Sequence, residues 1–355
     1  MSQVQHGGYG RELASSVPII DFSANINPLG TPDKLIQSIK KSLSNLIYYP
    51  DVNYRSLRKN LGQLYHFDPE QIWIGNGSVD LIFNIIEVLQ SKNALLLAPT
   101  FGEYEHAFTK SGAKVEHFYL SEQNNFQLDI NVLIDTLKVN HDIDTICLCN
   151  PNNPTATMVN TYQLRQLANY CNDNGIWLII DEAFNDFISD KEKYSFVQEL
   201  QDDDSVIIIK SLTKYYAIPG LRLGMALLPN KYFVNTLIDY SEPWSVNTFA
   251  AELTPDVFND QDYALKTSQW LSSEKAYLEK ELSKIPQIKF FPSAVNYYLL
   301  KYREKDLYQE LLNKGILIRN CDNYVGLTKG YYRIAVKSHL ENRQLIEKLN
   351  ELMGS

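Results

Sequence analysis

The sequence lacks most of what would mark a membrane protein, a disulfide scaffold or a nucleic-acid binder. No apolar run approaches the roughly 20 residues that span a bilayer, and the first residues carry no secretory signal pattern. Cysteine is scarce, with four in 355 residues. Two of them, Cys147 and Cys149, sit two apart in the run TICLCN and so share one face of a strand, which indicates core packing rather than a disulfide or a metal site. The six histidines show no metal-ligand spacing, so no metal is expected. Positive charge is in deficit: 33 Lys+Arg against 42 Asp+Glu give a net charge of −9. That balance argues against a nucleic-acid or anionic-membrane surface. Any anion site must then be local, built from a few arginines and backbone amides. Repeats and low-complexity linkers are also missing. A reduced, cytoplasmic protein of enzyme size is expected.

What the chain does have is alternation. Apolar runs at 71–75, 93–99, 114–120, 144–150, 176–181, 205–210 and 221–228 have the length and composition of strands. Between several of them lie amphipathic stretches such as SVDLIFNIIEVLQ (78–90) and TYQLRQLANYCNDN (161–174), the latter ending at Gly175. This rhythm predicts an α/β fold with a mostly parallel seven-stranded sheet and helices on both faces. A long helical pattern follows from about 255 to 284. Short strands (NYYLLKY, ILIRNC, YYRIAVK) and a last helix (ENRQLIEKLNELM) come next. The change predicts a large domain over 45–240 and a smaller α+β domain made from 1–44 and 241–355.

Ligand sites in such sheets lie beyond the carboxyl ends of the strands, so the residues that follow each run matter most. After QIWIG, the segment Asn76-Gly77-Ser78 opens a helix and offers backbone amides at its positive end, a cradle for phosphate. After NALLLAP comes Phe101, an aromatic able to pack in the core or to stack on a planar ring. After DTICLCN, two prolines flank Asn152 and Asn153 in a rigid turn that aims the amides. Asp181 ends a strongly apolar run and needs a cationic or donor partner. Then comes SLTKYYAIPGLRLG, with Ser211, Thr213, Lys214 and Arg222. Lys214 is either a solvated cap to an apolar strand or an amine kept in a dry pocket for carbonyl chemistry. The company it keeps favours the second. A phosphate cradle, an aromatic, an aimed amide, a buried acid, an amine and an arginine at one sheet edge are what pyridoxal phosphate requires.

The set NPNNPT, DEAF, SLTK and PGLRLG, in this order, resembles the fold-type I pyridoxal-phosphate enzymes of the class I/II aminotransferase group, over nearly the whole chain. The resemblance implies that Lys214 forms the Schiff base and Asp181 pairs with the ring nitrogen, as the two catalytic residues. It implies that Asn153 contacts the ring hydroxyl and Phe101 stacks on the ring. Gly77, Ser78, Ser211, Thr213 and Arg222 would hold the cofactor phosphate, Arg222 as a bidentate clamp. Tyr49, in IYYPD, is similar to the family's tyrosine that reaches the phosphate of the neighbouring subunit, which implies a homodimer.

Within that group, HGGYGRE (6–12) and DFSANINPLG (21–30) resemble the threonine-phosphate decarboxylase family, which makes the aminopropanol phosphate used in cobalamin synthesis. The implied substrate is a small phosphorylated amino acid. Of Arg319 and Arg333, one would anchor its phosphate and the other its carboxylate, in an order the sequence leaves open, and His6 and Asn27 would close over the phosphate. Histidinol-phosphate aminotransferases are the nearest alternative. Their motif usually reads DEAY where this chain has Phe184, which favours the decarboxylase. A decarboxylase of phosphoserine is a second alternative, because one methyl is worth only about 1–3 kcal/mol of discrimination. A regulator that senses the cofactor without catalysis would need an appended basic DNA-binding module, and this acidic chain has no room for one.

Overall fold

The computed structural model describes Gly7, Gly8, Gly10 and residues 19–354. A two-residue strand, β1 (Ile20–Asp21), precedes the strands of the main sheet. These are β2 (Ile72–Gly75), β3 (Asn93–Ala98), β4 (Lys114–Tyr119), β5 (Thr145–Cys149), β6 (Trp177–Asp181), β7 (Val206–Ser211) and β8 (Gly224–Leu227). They stand in the order β2-β8-β7-β6-β5-β3-β4. Neighbours pair in parallel except at β8, which runs antiparallel to both β7 and β2. The seven expected runs are thus the seven strands. The central ones are mostly apolar because helices cover both faces: every residue of β5 and β7 is buried.

The helices start and stop for local reasons. Thr161–Asn174 opens on a reciprocal Asn160–Gln163 capping box and closes at Gly175, whose φ of 67° suits a residue without Cβ. The single helical pattern expected from about 255 to 284 is broken. A turn at Pro255–Phe258 is followed by a helix at Gln261–Leu282, and the side chain of Asp260 accepts the Tyr263 amide to start it. Asp260 offers the backbone a side-chain acceptor in place of a continuing helical carbonyl.

The C-terminal part builds a second sheet from β9 (Lys289–Phe290), β10 (Tyr297–Lys301), β12 (Arg319–Asn320) and β13 (Tyr331–Ala335), in the order β12-β13-β10-β9, all pairs antiparallel. β11 (Ile316–Leu317) turns away from it and pairs in parallel with β1, tying the N-terminal segment to the C-terminal part. Two apolar clusters result. One surrounds the main sheet; the other joins Phe22 and Phe184 to Leu278, Val295 and Leu345. We propose a domain division close to the one expected from the sequence. Leu35 and Val246 through Phe258 belong with the larger unit, because they pack into the first cluster.

Where the two sheets meet, Glu122 accepts hydrogen bonds from Lys301 (2.6 and 2.8 Å), Lys289 (3.0 Å) and Tyr331 (2.6 Å). Partial burial pushes its carboxyl upward, but the donors Lys301, Tyr331 and Lys289 prevail and bring it down to about 2. Phe126 packs beside this contact, its ring 5.1 Å from that of Phe291.

Candidate active site

One edge of the main sheet gathers the residues that the sequence singled out. β2, β3, β5, β6 and β7 end there, and the antiparallel β8 begins there. Gly75, Gly224 and Ser211 lie side by side across β2, β8 and β7. This close approach depends on missing side chains. A Cβ on Gly224 would come within 2.5 Å of the Ser78 amide nitrogen. One on Gly77, whose φ is +86°, would come within 2.3 Å of Arg222 Nη2. The helix Ser78–Leu89 therefore starts against the Arg222 guanidinium, and no side chain caps its first amides. Ser211 and Thr213 share a hydrogen bond of 2.8 Å, and Ser211 Oγ accepts Lys214 Nζ at 2.9 Å. Hydroxyls, free helix amides and a guanidinium thus converge as an anion site.

Lys214 is half-buried, with its Nζ 5.6 Å from the centre of the Phe184 ring. Burial lowers its pKa, with the charges of Arg222 and Arg333 acting in the same direction and Asp181 and Cys149 opposing. Asp181 is 3% exposed. Burial raises its pKa, against the Tyr104 hydrogen bond, the Lys214 charge and the Ala183 amide. Burial thus works against the ammonium at one end and the carboxylate at the other, and the Tyr104, Lys214 and Ala183 contacts are what oppose it at Asp181. Asn153 sits between, its Oδ1 accepting Arg333 Nη1 at 2.6 Å and the Tyr324 hydroxyl at 3.3 Å. That arrangement turns the amide NH2 away from both donors. Phe101 packs edge-on against Tyr104, with centroids 5.5 Å apart.

Arg319 and Arg333 face each other in register on β12 and β13, and each is only 6% exposed. Arg333 Nη2 donates to the Ser23 carbonyl at 2.7 Å, while its buried Nε has no hydrogen-bond partner among the described residues. Arg319 donates to Asn323 Oδ1 at 2.7 Å and to the Asn320 carbonyl, and lies over the Tyr324 ring.

Two expected residues are otherwise engaged within one chain, and a third is not described. His6 lies outside the described residues. Asn27 is at the site but its side chain is engaged: it donates to the Tyr215 carbonyl and Thr267 Oγ1 and accepts from the Leu29 amide. Its backbone amide meets the Lys214 carbonyl at 3.1 Å, so it braces the lysine segment. Tyr49 is not brought to the pocket within one chain. It is 79% exposed and packs on Trp244 with centroids 4.7 Å apart.

Sequence reasoning left four contributors unassigned. Tyr104 donates to Asp181, Tyr324 donates to Asn153, Tyr297 donates to the Asn152 carbonyl at 2.8 Å, and Thr100 donates to Asn152 Oδ1 at 2.8 Å. All are buried. The donor set fits pyridoxal phosphate. Arg222, Ser211, Thr213 and the helix start would hold its phosphate, Asp181 its ring nitrogen, Lys214 its aldehyde carbon, Phe101 its face and Asn153 its ring oxygen. The two glycine positions that a Cβ would fill are what a close backbone approach to such a group needs.

The chain belongs to the aminotransferase class I and II family, whose model matches residues 17–349. Among individual relatives, it is 35% identical to the threonine-phosphate decarboxylase of Salmonella typhimurium, over 98% of this chain and 96% of that protein. The histidinol-phosphate aminotransferase of Clostridium acetobutylicum superposes with a TM-score of 0.87 at 30% identity, covering 94% and 98% of the two chains. The L-threonine-O-3-phosphate decarboxylase of Porphyromonas gingivalis shares the fold, with a TM-score of 0.82 at 22% identity over 94% and 98%.

Proposed function

We propose that this chain is a pyridoxal-phosphate-dependent carboxy-lyase that decarboxylates O-phospho-L-threonine to (R)-1-aminopropan-2-yl phosphate, the precursor of the aminopropanol linker of cobalamin. The observation that carries the reading is the pair of buried arginines in register on β12 and β13, one linked to Asn153 and holding an unpartnered Nε. Two buried guanidiniums suit a substrate with two anions. Arg333, beside the ring-oxygen amide, suits the carboxylate, and Arg319 the phosphate. The 35% identity to a threonine-phosphate decarboxylase points the same way, as does Phe184 in place of the tyrosine usual in the aminotransferase motif.

The bound cofactor supplies an electron sink for the pair released when the Cα–carboxylate bond breaks. The chain's residues do the rest. Asp181 would hold the ring nitrogen of the bound group, where as a carboxylate it would favour the protonated form. Lys214, with its ammonium destabilised by burial, would hold the cofactor's aldehyde carbon and is placed to carry a proton for Cα. Arg319 and Arg333 fix the substrate at both ends, so it cannot rotate freely about Cα, and they decide which bond is presented for cleavage. Phe184 and Tyr297, edge-on at 4.9 Å, form an apolar wall that limits water beside Lys214.

We further infer a homodimer in the cytoplasm. Leu46, Ile47, Tyr48 and Tyr49 are each more than half exposed, and Tyr49 is the residue expected to reach a neighbouring subunit. No described helix is long and apolar enough to cross a membrane.

The test is to supply the loaded protein with O-phospho-L-threonine, and separately O-phospho-L-serine, without a keto acid. Catalytic release of carbon dioxide with the amine phosphate as product is expected, fastest with phosphothreonine. The 30% identity to a histidinol-phosphate aminotransferase defines the second reading. Turnover only after 2-oxoglutarate is added, with glutamate accumulating, would replace the decarboxylase by an aminotransferase.

A further inference from the structure

Asp181 closes β6 deep in the protein, and its two oxygens are treated differently. Oδ1 accepts the Ala183 amide at 2.9 Å, a local turn contact. Oδ2 accepts the hydroxyl of Tyr104 at 2.6 Å, across 77 positions of sequence. Tyr104 is fully buried. It stands in the first turn of the helix Glu103–Lys110, just after Phe101, and the two rings meet edge-on at 83°. One short segment thus brings both a flat apolar face and a hydroxyl donor to the site. Packing alone does not call for the hydroxyl. A phenylalanine has the same outline, and a buried hydroxyl is unfavourable unless it is bonded.

We propose that Tyr104 is a positioning residue for the reaction: its hydroxyl fixes the Asp181 carboxylate in place and keeps it an acceptor for a ring N–H. The inference rests on the pyridoxal-phosphate reading above. A carboxylate in dry surroundings drifts toward its protonated form, and a donor aimed at its oxygen opposes that drift. Burial moves the two partners in compatible directions. It raises Asp181, against the Tyr104 hydrogen bond, and it raises the Tyr104 phenol well above its ordinary value, with the Asp181 charge adding to the rise. Tyr104 therefore remains the donor and does not surrender its proton. A separation of 2.6 Å falls in the range of short O–H···O⁻ bonds, roughly twice as strong as neutral ones. Removing the hydroxyl leaves Oδ2 buried with one donor fewer, and a protonated Asp181 no longer favours a charged ring nitrogen. Arg319 and Arg333 are untouched by the change, so substrate capture should survive while the chemical step slows.

The experiment compares wild type with Tyr104→Phe, both loaded with pyridoxal phosphate. It measures the cofactor dissociation constant by titrating stripped protein, the visible spectrum of the bound cofactor, and kcat and KM with O-phospho-L-threonine. Tyr104→Phe should raise the cofactor dissociation constant on the order of tenfold and shift the visible band. kcat should fall by a similar factor, with KM within about twofold of wild type. In an Asp181→Asn background the same change should add no further loss of affinity. A Tyr104→Phe protein with a lower Tm but wild-type affinity and spectrum would show that the phenol only packs, and the proposal fails. If Tyr104→Phe does not fold, the Asp181→Asn background decides. A folding defect that persists there assigns the phenol to packing and overturns the proposal; relief of the defect supports it. Wild-type protein that binds no pyridoxal phosphate overturns the proposed function together with this one. Wild type that binds while Tyr104→Phe matches it overturns this one alone.

Discussion

Lys214 Nζ rests 2.9 Å from Ser211 Oγ and 5.6 Å from the centre of the Phe184 ring, so its amine is held by one hydroxyl and walled by one aromatic. A lysine so placed loses part of the solvation that stabilises an ammonium, and its pKa falls accordingly. The free amine therefore becomes abundant at a lower pH than in an ordinary lysine, and stripped protein should capture pyridoxal phosphate in that lower range. Lys214→Ala should lose turnover by at least ~1,000-fold while cofactor still associates without a covalent bond. Absorbance after gel filtration reads the second point, and retained turnover would remove Lys214 from the mechanism. Lys210, four residues earlier, shows what an unreactive buried lysine looks like. It is 1% exposed and paired with Glu182 at 3.0 Å, and its charge is neutralised where it stands.

At the scale of elements, the site depends on how tightly the turn after β2 and the start of β8 approach each other. Gly77→Ala forces a side chain onto a positive-φ backbone that only glycine adopts readily, at a cost of about 1–3 kcal/mol, and aims it at the Arg222 guanidinium. The expected result is folded protein whose cofactor affinity drops by roughly tenfold or more, measured by fluorescence titration. Unchanged affinity would mean that Arg222 does not need its present place. The elements themselves were legible in the sequence. Runs such as VIIIKS and TICLC can hardly be anything but buried strands, and the Asn160–Gln163 pair marks a helix start unaided. The break at Asn259-Asp260 was not legible, because the apolar spacing continues across it and only the Asp260 cap interrupts the helix. Tyr104 escaped notice for another reason. Nothing in GEYEHAF says which of its polar groups turns toward a carboxylate on another strand. The contacts of Asn27 were not legible either, because a motif gives a residue's address but not its partners, and Thr267 lies 240 positions away.

At the scale of the whole molecule, the two sheets and their apolar clusters share one seam. Glu122 and Phe126 close it at the rim, and the Asn152 and Asn153 contacts with Tyr297, Tyr324 and Arg333 close it at the centre. The outer surface leaves Tyr49 and Trp244 packed together in solvent with their rings tilted by 34°, and Trp244 is 48% exposed. A homodimer would cover this face, so sedimentation should report twice the chain mass of 40.8 kDa. Tyr49→Ala should weaken cofactor retention without unfolding the chain. A single-chain mass at micromolar concentration would overturn the shared-site proposal.

The bond from Arg333 to Asn153 has a thermodynamic consequence. One amide side chain touches the arginine proposed to receive the substrate's carboxylate, and it is also the group proposed to meet the cofactor ring. Its orientation is therefore a common variable of two binding equilibria. Whatever cofactor loading does to the free energy of substrate binding, substrate must do in equal measure to the binding of cofactor, because the cycle connecting the four states closes.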